Sequence, residues 1–365
     1  MNETFRSVVI YHAGNAGTYR KPRSINEKDT FSRMSATIVD IKEKTGLSLA
    51  TISKYLNGGN VLPENKVKIE AAIKELHYEV NEIARGLVTN RTRTVGILVF
   101  SIESPFTGMI LHHVGAALRK KGYGMLIVDS CDNEEIEAKN VKYLMGKKVD
   151  GIIVLPVASK GDFLAPANNA GIPIVLLDRS LSDIQYDCVR IDNRKSTYNA
   201  MKELISRNHK KIAVIASERE YTGRERFNGF MEAMRDAGLD VPIDYQVRGT
   251  HSIATGYNGM KKLITLKDRP TAVFMSNYEI TLGAMLAMNE SGFRCPEDVS
   301  LIGFDDQLFF HLLQPQVYMV EQPMKAMGER AVELLLGRIS GKVDEDPMEI
   351  ALGTRLQKGN SIRTL

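Results

Sequence analysis

Leu49, Ala50, Thr51, Ser53, Lys54 and Asn57 fall within nine residues and would share the exposed side of a short helix. Two hydroxyls, an amide, a cation and two apolar side chains form a reading set for duplex DNA. Bases in the major groove are recognised by hydrogen bonds to their edges and by apolar contact with thymine methyls. A plain helical hairpin with a solvated face would also accommodate residues 37–57, so the neighbouring elements must decide.

Those elements are legible. Thr37 and Asp40 have the spacing of a capping box and open a first helix. Gly46-Leu47-Ser48 is a tight turn in which Gly46 supplies a positive φ. Ile38, Ile41 and Leu47 are the apolar contacts between the two helices. Pro63 suits the first turn of a third helix, along which Ile69, Ile73 and Leu76 recur at helical spacing. A short helix then starts at an Asn81 cap and runs out near Leu87, and a polar, basic connector follows.

A chain of 365 residues with 43% hydrophobic content holds more than one domain and a sizeable core. No apolar run reaches the roughly 18 residues of a membrane span, and Met1–Ile10 lacks a signal-peptide pattern. Cys131, Cys188 and Cys295 form neither a metal motif nor an even disulfide set. They point to a reducing cytoplasm and read as small core residues. The net charge of +4 is unevenly spread: residues 1–93 hold 15 Lys and Arg against 10 Asp and Glu. Positive charge therefore gathers where phosphates would be met.

From Thr94 the pattern changes. Val95–Phe100, Met125–Val128, Gly151–Leu155, Ile174–Leu177, Ile212–Ile215, Ala272–Met275 and Val299–Gly303 are short apolar runs. Helical patterns lie between them, including Met109–Lys121, Ser196–Arg207, Arg226–Ala237 and Ile280–Ser291. Such alternation predicts parallel sheets covered by helices. Its length suits two successive open α/β units with a cleft at the carboxyl ends of their strands.

The order of Gly46, Ser48, Thr51, Ser53, Asn57, Val61, Ala71, Leu76, Tyr78, Asn81, Ala84, Arg85 and Leu87 resembles the lactose/galactose repressor (LacI/GalR) family of bacterial transcription regulators. The resemblance extends over about residues 36–355. It implies an N-terminal all-α helix-turn-helix DNA-binding domain with a hinge helix. An α/β core of two Rossmann-like lobes of the periplasmic-binding-protein type then follows. The implied division is 34–80 for the DNA-binding domain and 81–93 for the hinge and linker. Residues 94–193 with 323–350 form one lobe, and 194–322 with 351–365 the other. Residues 1–33 match nothing that follows and are expected to be a disordered extension or a misassigned start, with translation beginning at Met34.

The resemblance also implies roles. Thr37, Ser48, Leu49, Ala50, Thr51, Ser53, Lys54 and Asn57 would meet the operator. Asn81, Ala84, Arg85 and Leu87 would sit at the minor groove, with Leu87 wedged between base steps. A homodimer would bind a pseudo-palindromic site. A small-molecule effector, sugar-like by the family although purine-like and nucleoside effectors also occur among its members, would lie between the lobes against Phe106, Asp178, Arg179, Arg226, His251, Asn277, Phe304, Asp305 and Gln322. No cofactor and no metal is implied. Several residues depart from the family pattern. Leu49 and Ala50 leave thymine methyls as the available contact at the helix start. Lys54 lacks the bidentate fork of the usual arginine. Leu62 replaces a hydroxyl cap at a cost of about 1 kcal/mol. Tyr318-Met319 replace a common Thr-Thr pair. Residues 339–365 carry no leucine heptads for a tetramer-forming coiled coil. Two rivals fail on the sequence. An enzyme would be expected to show a phosphate loop, a metal helix or a nucleophile elbow, and a transport protein would carry a signal peptide and no helix-turn-helix.

Overall fold

The computed structural model describes residues 36–78, 91–342 and 346–365. Residues 1–33 and the hinge positions Asn81, Ala84, Arg85 and Leu87 lie outside them. The chain divides into a helical unit and a larger α/β unit.

The helical unit contains α1 (Ile38–Thr45), α2 (Leu49–Leu56) and α3 (Pro63–Leu76). Thr37 and Asp40 close the capping box, with Asp40 Oδ2 accepting from the Thr37 amide at 2.6 Å. That backbone bond, then the one from the Thr37 hydroxyl, holds the Asp40 carboxyl below its ordinary value. α1 stops at Gly46, whose φ of 67° lets its amide bond back to the Lys42 carbonyl. An L side chain is disfavoured in that conformation. Ile41, Ile52, Ile69 and Ala72 are fully or nearly fully buried and make the core, while Ile38 and Leu47 pack at its margin.

α3 starts on Pro63 after Leu62, which makes no side-chain cap bond and is 62% exposed. Leu62→Ser should stabilise this start by about 1 kcal/mol. The measurement is slower hydrogen exchange at the first-turn amides of α3 in the full chain. Unchanged exchange would mean that the proline start already satisfies that turn.

The α/β unit contains two six-stranded sheets. The first is ordered β11-β5-β4-β3-β1-β2. Its strands are β1 (Thr94–Val99), β2 (Gly124–Asp129), β3 (Gly151–Val154), β4 (Ile174–Leu177), β5 (Asp187–Ile191) and β11 (Glu349–Leu352). The second is ordered β12-β10-β9-β8-β6-β7. It contains β6 (Ile212–Ser217), β7 (Gln246–Gly249), β8 (Ala272–Met275), β9 (Ser300–Phe304), β10 (Tyr318–Glu321) and β12 (Arg355–Gln357). All pairs are parallel except β10 with β12. β3, β4, β6, β8 and β9 are buried along their whole lengths. That explains why they read as unbroken apolar runs rather than as alternating ones.

The helices are α4 (Pro105–Lys120), α5 (Glu134–Gly146), α6 (Ala165–Asn169), α7 (Asn193–Ser206), α8 (Tyr221–Asp236), α9 (Ile253–Thr265), α10 (Tyr278–Glu290) and α11 (Met324–Ile339). Four start before their apolar periodicity does. α4, for example, opens on Pro105, and α7 on an Asp192 cap that accepts from the Lys195 amide at 2.9 Å. α9 and α10 touch backbone to backbone. A Cβ on Gly283 would lie 2.0 Å from the Ile253 carbonyl oxygen, and one on Gly256 would lie 2.1 Å from that of Ile280.

The chain passes between the sheets three times. It leaves the first after β5, returns through α11, and leaves again between β11 and β12. Arg338 of α11 grips Asp187 of β5 with both Nε and Nη2, at 2.6 and 2.7 Å, and so fixes the returning helix. The last passage lies after Leu352 rather than after 350. Ala351 and Leu352 still pair with Arg190 and Ile191, which keeps them in the first sheet.

The cysteines divide. Cys188 is buried and Cys295 half-buried, and burial pushes both thiols up to about 12. Cys131 is exposed, against the expectation of a core residue, because it lies in the turn between β2 and α5. Among the described residues no helix is long and apolar enough to cross a membrane.

Candidate functional site

In each sheet a strand order reverses next to the first strand of the lobe, at β3-β1-β2 and β8-β6-β7. Crevices of open α/β sheets form at the carboxyl ends of strands beside such reversals. Here the two sets of strand ends enclose a cavity of about 280 Å³, with an adjoining space of about 340 Å³. Asp132, Arg179, Glu220 and His251 belong to both walls.

The two sheets carry the same device. β4, third in the first sheet, runs into Asp178, and β9, third in the second, runs into Asp305. Both aspartates have left-handed backbones, with φ of 74° and 67°. Both amides bond to the neighbouring strand, Asp178 to the Val189 carbonyl at 2.9 Å and Asp305 to that of Val320 at 3.0 Å. Each carboxylate meets an arginine, and each arginine covers a phenylalanine. Arg179 Nε lies 3.3 Å from Asp178 Oδ2, and its guanidinium carbon is 4.4 Å from the Phe100 ring centre. Arg226 Nη1 lies 2.8 Å from Asp305 Oδ2, and its guanidinium carbon is 3.6 Å from the Phe304 ring centre. Non-glycine residues in left-handed geometry carry local strain, which tends to collect at ligand sites.

The second pair is the more rigid. Arg226 is 2% exposed, and also donates from Nε to Asn193 Oδ1 at 2.8 Å and from Nη1 to the Ser276 carbonyl at 2.7 Å. Gln322 Nε2 donates to Asp305 Oδ1 at 2.6 Å. Asp178 is looser. Its Oδ1 is buried without a hydrogen bond, and burial pushes its carboxyl up against the pull of Arg179 and Arg226. His251 is mostly buried, with Nε2 unpartnered and Nδ1 3.9 Å from Glu220 Oε2. Burial first, then Arg226 and Arg179, drives its imidazolium form away, so the ring stands neutral at pH 7.

Phe106, Asp178, Arg179, Arg226, His251, Asn277, Asp305 and Gln322 all line the inner cavity. Phe304 does not: it is fully buried and serves as the floor beneath the Arg226 guanidinium. Phe106 stands 6.4 Å from Phe100 in a stacked pair. Asn277 also caps α10, accepting from the Ile280 amide at 2.9 Å. Sequence reasoning missed Phe100, Asp132, Glu220 and Glu279. Their usable signal was position: Phe100 directly follows β1, Asp132 lies in the turn between β2 and α5, and Glu220 and Glu279 stand at the starts of α8 and α10. Guanidinium donors, carboxylate and amide acceptors and an aromatic pair thus converge, which equips the cavity for a small polar ligand with an apolar face.

On the helical unit, Leu49, Ala50, Lys54 and Asn57 are exposed along α2. Ser48 and Thr51 bond to each other at 2.9 Å while Ser48 also caps the helix through the Thr51 amide. Asn57 Nδ2 bonds the Ser53 carbonyl at 2.9 Å. Part of the presumed reading set is therefore also used to shape its own helix.

A model of the periplasmic binding protein-like domain matches residues 201–362. The HTH-type transcriptional repressor PurR of Pasteurella multocida (strain Pm70) is 34% identical over 313 residues, which cover 85% of this chain and 94% of that protein. A solved complex of the transcriptional regulator CelR with cellobiose is 30% identical with a TM-score of 0.67, covering 89% of this chain and 99% of that one. The lac repressor dimer bound to operator and the anti-inducer ONPF gives a TM-score of 0.79 over 90% of this chain and 99% of that one. Its 23% identity carries the fold alone. On the identity and coverage of the PurR and CelR relatives, the chain belongs to the LacI/GalR family of helix-turn-helix transcriptional repressors governed by small-molecule effectors.

Proposed function

We propose that the protein represses transcription as a homodimer on a pseudo-palindromic operator, and that a sugar or sugar derivative in the inner cavity sets its affinity for that operator. The observation that carries the effector reading is the convergence of Asp178–Arg179 and Asp305–Arg226 from separate sheets on one cavity. A ligand touching both pairs favours one spacing of the lobes, and operator and effector then alter each other's affinity reciprocally. The carboxylates of both pairs are tied to guanidiniums, which suits them to accept hydrogen bonds rather than to move protons. We therefore assign binding without turnover. The family setting supports a cytoplasmic location.

Thr37, Ser48, Leu49, Ala50, Thr51, Ser53, Lys54 and Asn57 are assigned to the major groove. Asn81, Ala84, Arg85 and Leu87 are assigned to the hinge on the family resemblance. Supporting a dimer, β2 is an edge of the first sheet unpaired among the described residues, with Met125 and Ile127 exposed, and Ile253 and Leu286 are exposed on α9 and α10.

Operator selection from randomised duplexes, with the purified chain at fixed near-physiological salt, tests this function. Recovery of a pseudo-palindrome is expected, and recovery of a single asymmetric half-site would overturn the dimer. On the selected operator, Lys54→Ala should weaken binding and reduce the salt slope by about one. Identical affinity across a salt titration would remove Lys54 from the contacts.

A further inference from the structure

Charge on the wall of the inner cavity is unbalanced. Its two arginines are already matched by Asp178 and Asp305, and His251 is neutral. Glu103, Asp132, Glu220 and Glu279 remain, and among the described residues none of them pairs with a lysine or arginine within 4.0 Å. Glu220 and Glu279 are half-buried, while Glu103 and Asp132 stand at the rim. Glu220 accepts from the Ser217 hydroxyl and Glu279 from Asn277 Nδ2 at 3.2 Å, which are neutral donors. Asp132 lies close enough to Glu220 and Glu279 for their charges to oppose one another. Burial pushes the carboxyls of both Asp132 and Glu279 up; at Asp132 the Arg179 and Arg219 charges pull the other way, and at Glu279 only the neutral donors Asn277 and Tyr278 do.

A second observation is independent of this charge. Asp178 and Gln322 line the same cavity, each is 4% exposed, and each keeps one oxygen, Oδ1 and Oε1, without a donor. Buried acceptors of this kind call for donors from whatever fills the space. The two arginines stay committed to carboxylates. Two further arginines stand on the wall of the adjoining space: Arg224 is turned onto the carbonyls of Glu218 and Arg219, and Arg219 acts on Asp132 through space, which among the described residues leaves Glu220 and Glu279 without a cation of their own.

From these residues we propose that the effector carries a protonated nitrogen, seated among Asp132, Glu220 and Glu279, on a polyhydroxylated, sugar-sized frame. The proposal rests on the cleft being the effector site. A neutral polyol would leave these carboxylates facing each other as the lobes close and water leaves. A cation removes that repulsion and supplies N–H donors in the same step.

Calorimetric titration of the full chain with matched sets tests it: glucosamine, glucose and N-acetylglucosamine, and the same three forms of galactose. At least one amine is expected to bind ten-fold or more tightly than both its hydroxyl and its N-acetyl counterpart. Glu279→Gln, nearly isosteric, should cut that preference to about three-fold or less. A neutral member binding as well as its amine, or no amine binding at all, overturns the proposal. The cleft itself is checked separately with Arg226→Lys. Loss of a neutral sugar's binding in that variant would sink the cation and keep the site. Amine binding that survives both substitutions unchanged would place the ligand elsewhere and sink the site as well.

Discussion

Arg226→Ala should abolish the effector response and lower the stability of the α/β unit by about 3–5 kcal/mol. The magnitude follows from what remains after truncation. Asp305 is 6% exposed, and its Oδ2 would lose a charged donor at 2.8 Å. Asn193 Oδ1 and the Ser276 carbonyl would lose their donors as well, and the Phe304 ring would lose the guanidinium above it. Urea unfolding of the full chain reads the stability, and operator binding with and without ligand reads the response. Because a buried carboxylate left alone accounts for most of the loss, Arg226→Ala combined with Asp305→Ala should be less damaging than the sum of the two single changes. Strict additivity in that cycle would mean that the pair contributes as two independent side chains, and the account of the cleft as a coupled unit would fall.

Ile52→Ala should eliminate specific operator binding while leaving ligand binding intact. Burial of a large aliphatic side chain is worth about 2–5 kcal/mol when it is cut to alanine. Among the described residues of the helical unit, Ile41, Ile52, Ile69 and Ala72 form the buried centre, with a ring of partly buried side chains from Ile38 to Tyr78 packed against it. A domain with so small a core stands on a few kcal/mol, so this single cavity removes most of its stability. Gel-shift titration should show no specific complex, and circular dichroism should show lost helix. Retained operator affinity would mean that DNA refolds the unit on contact, and hydrogen exchange on α2 with and without operator separates that case from an undamaged core.

The helix-turn-helix was the most legible part of the chain because its determinants are local. A capping box, a left-handed glycine and three apolar residues at helical spacing all act within one or two turns. Strands buried on both faces were legible as unbroken apolar runs. β5, Asp-Cys-Val-Arg-Ile, and β7, Gln-Val-Arg-Gly, were not, since short polar segments become strands only through the neighbours they pair with. Eight of the nine expected cleft residues line the cavity, and Phe304 fails for a positional reason. It is the last residue of β9, packed inward under the arginine that it supports. The acidic residues went unseen because a bland explanation covers them. Asp132 precedes α5, Glu220 stands at the N-cap position of α8 without a side-chain cap bond, and Glu279 sits in the first turn of α10, where carboxylates are favoured by the helix dipole. Only the folded chain brings those three helix starts to one cavity.

The three passages of the chain between its sheets bear on how such a protein changes through evolution. Each lobe is assembled from two separate stretches of sequence, so no single recombination breakpoint can exchange one lobe intact. A crossover within the α7–β10 stretch joins part of one parent's second sheet to the remainder of another's, across strand pairs that must match in register. New effector preferences are therefore more accessible through point substitution at strand ends and helix starts than through the shuffling of lobes. The helical unit is contiguous and precedes the whole core, so one breakpoint suffices to give an existing ligand response a new operator. Ligand specificity should drift residue by residue in this architecture, while DNA specificity is free to arrive as a block.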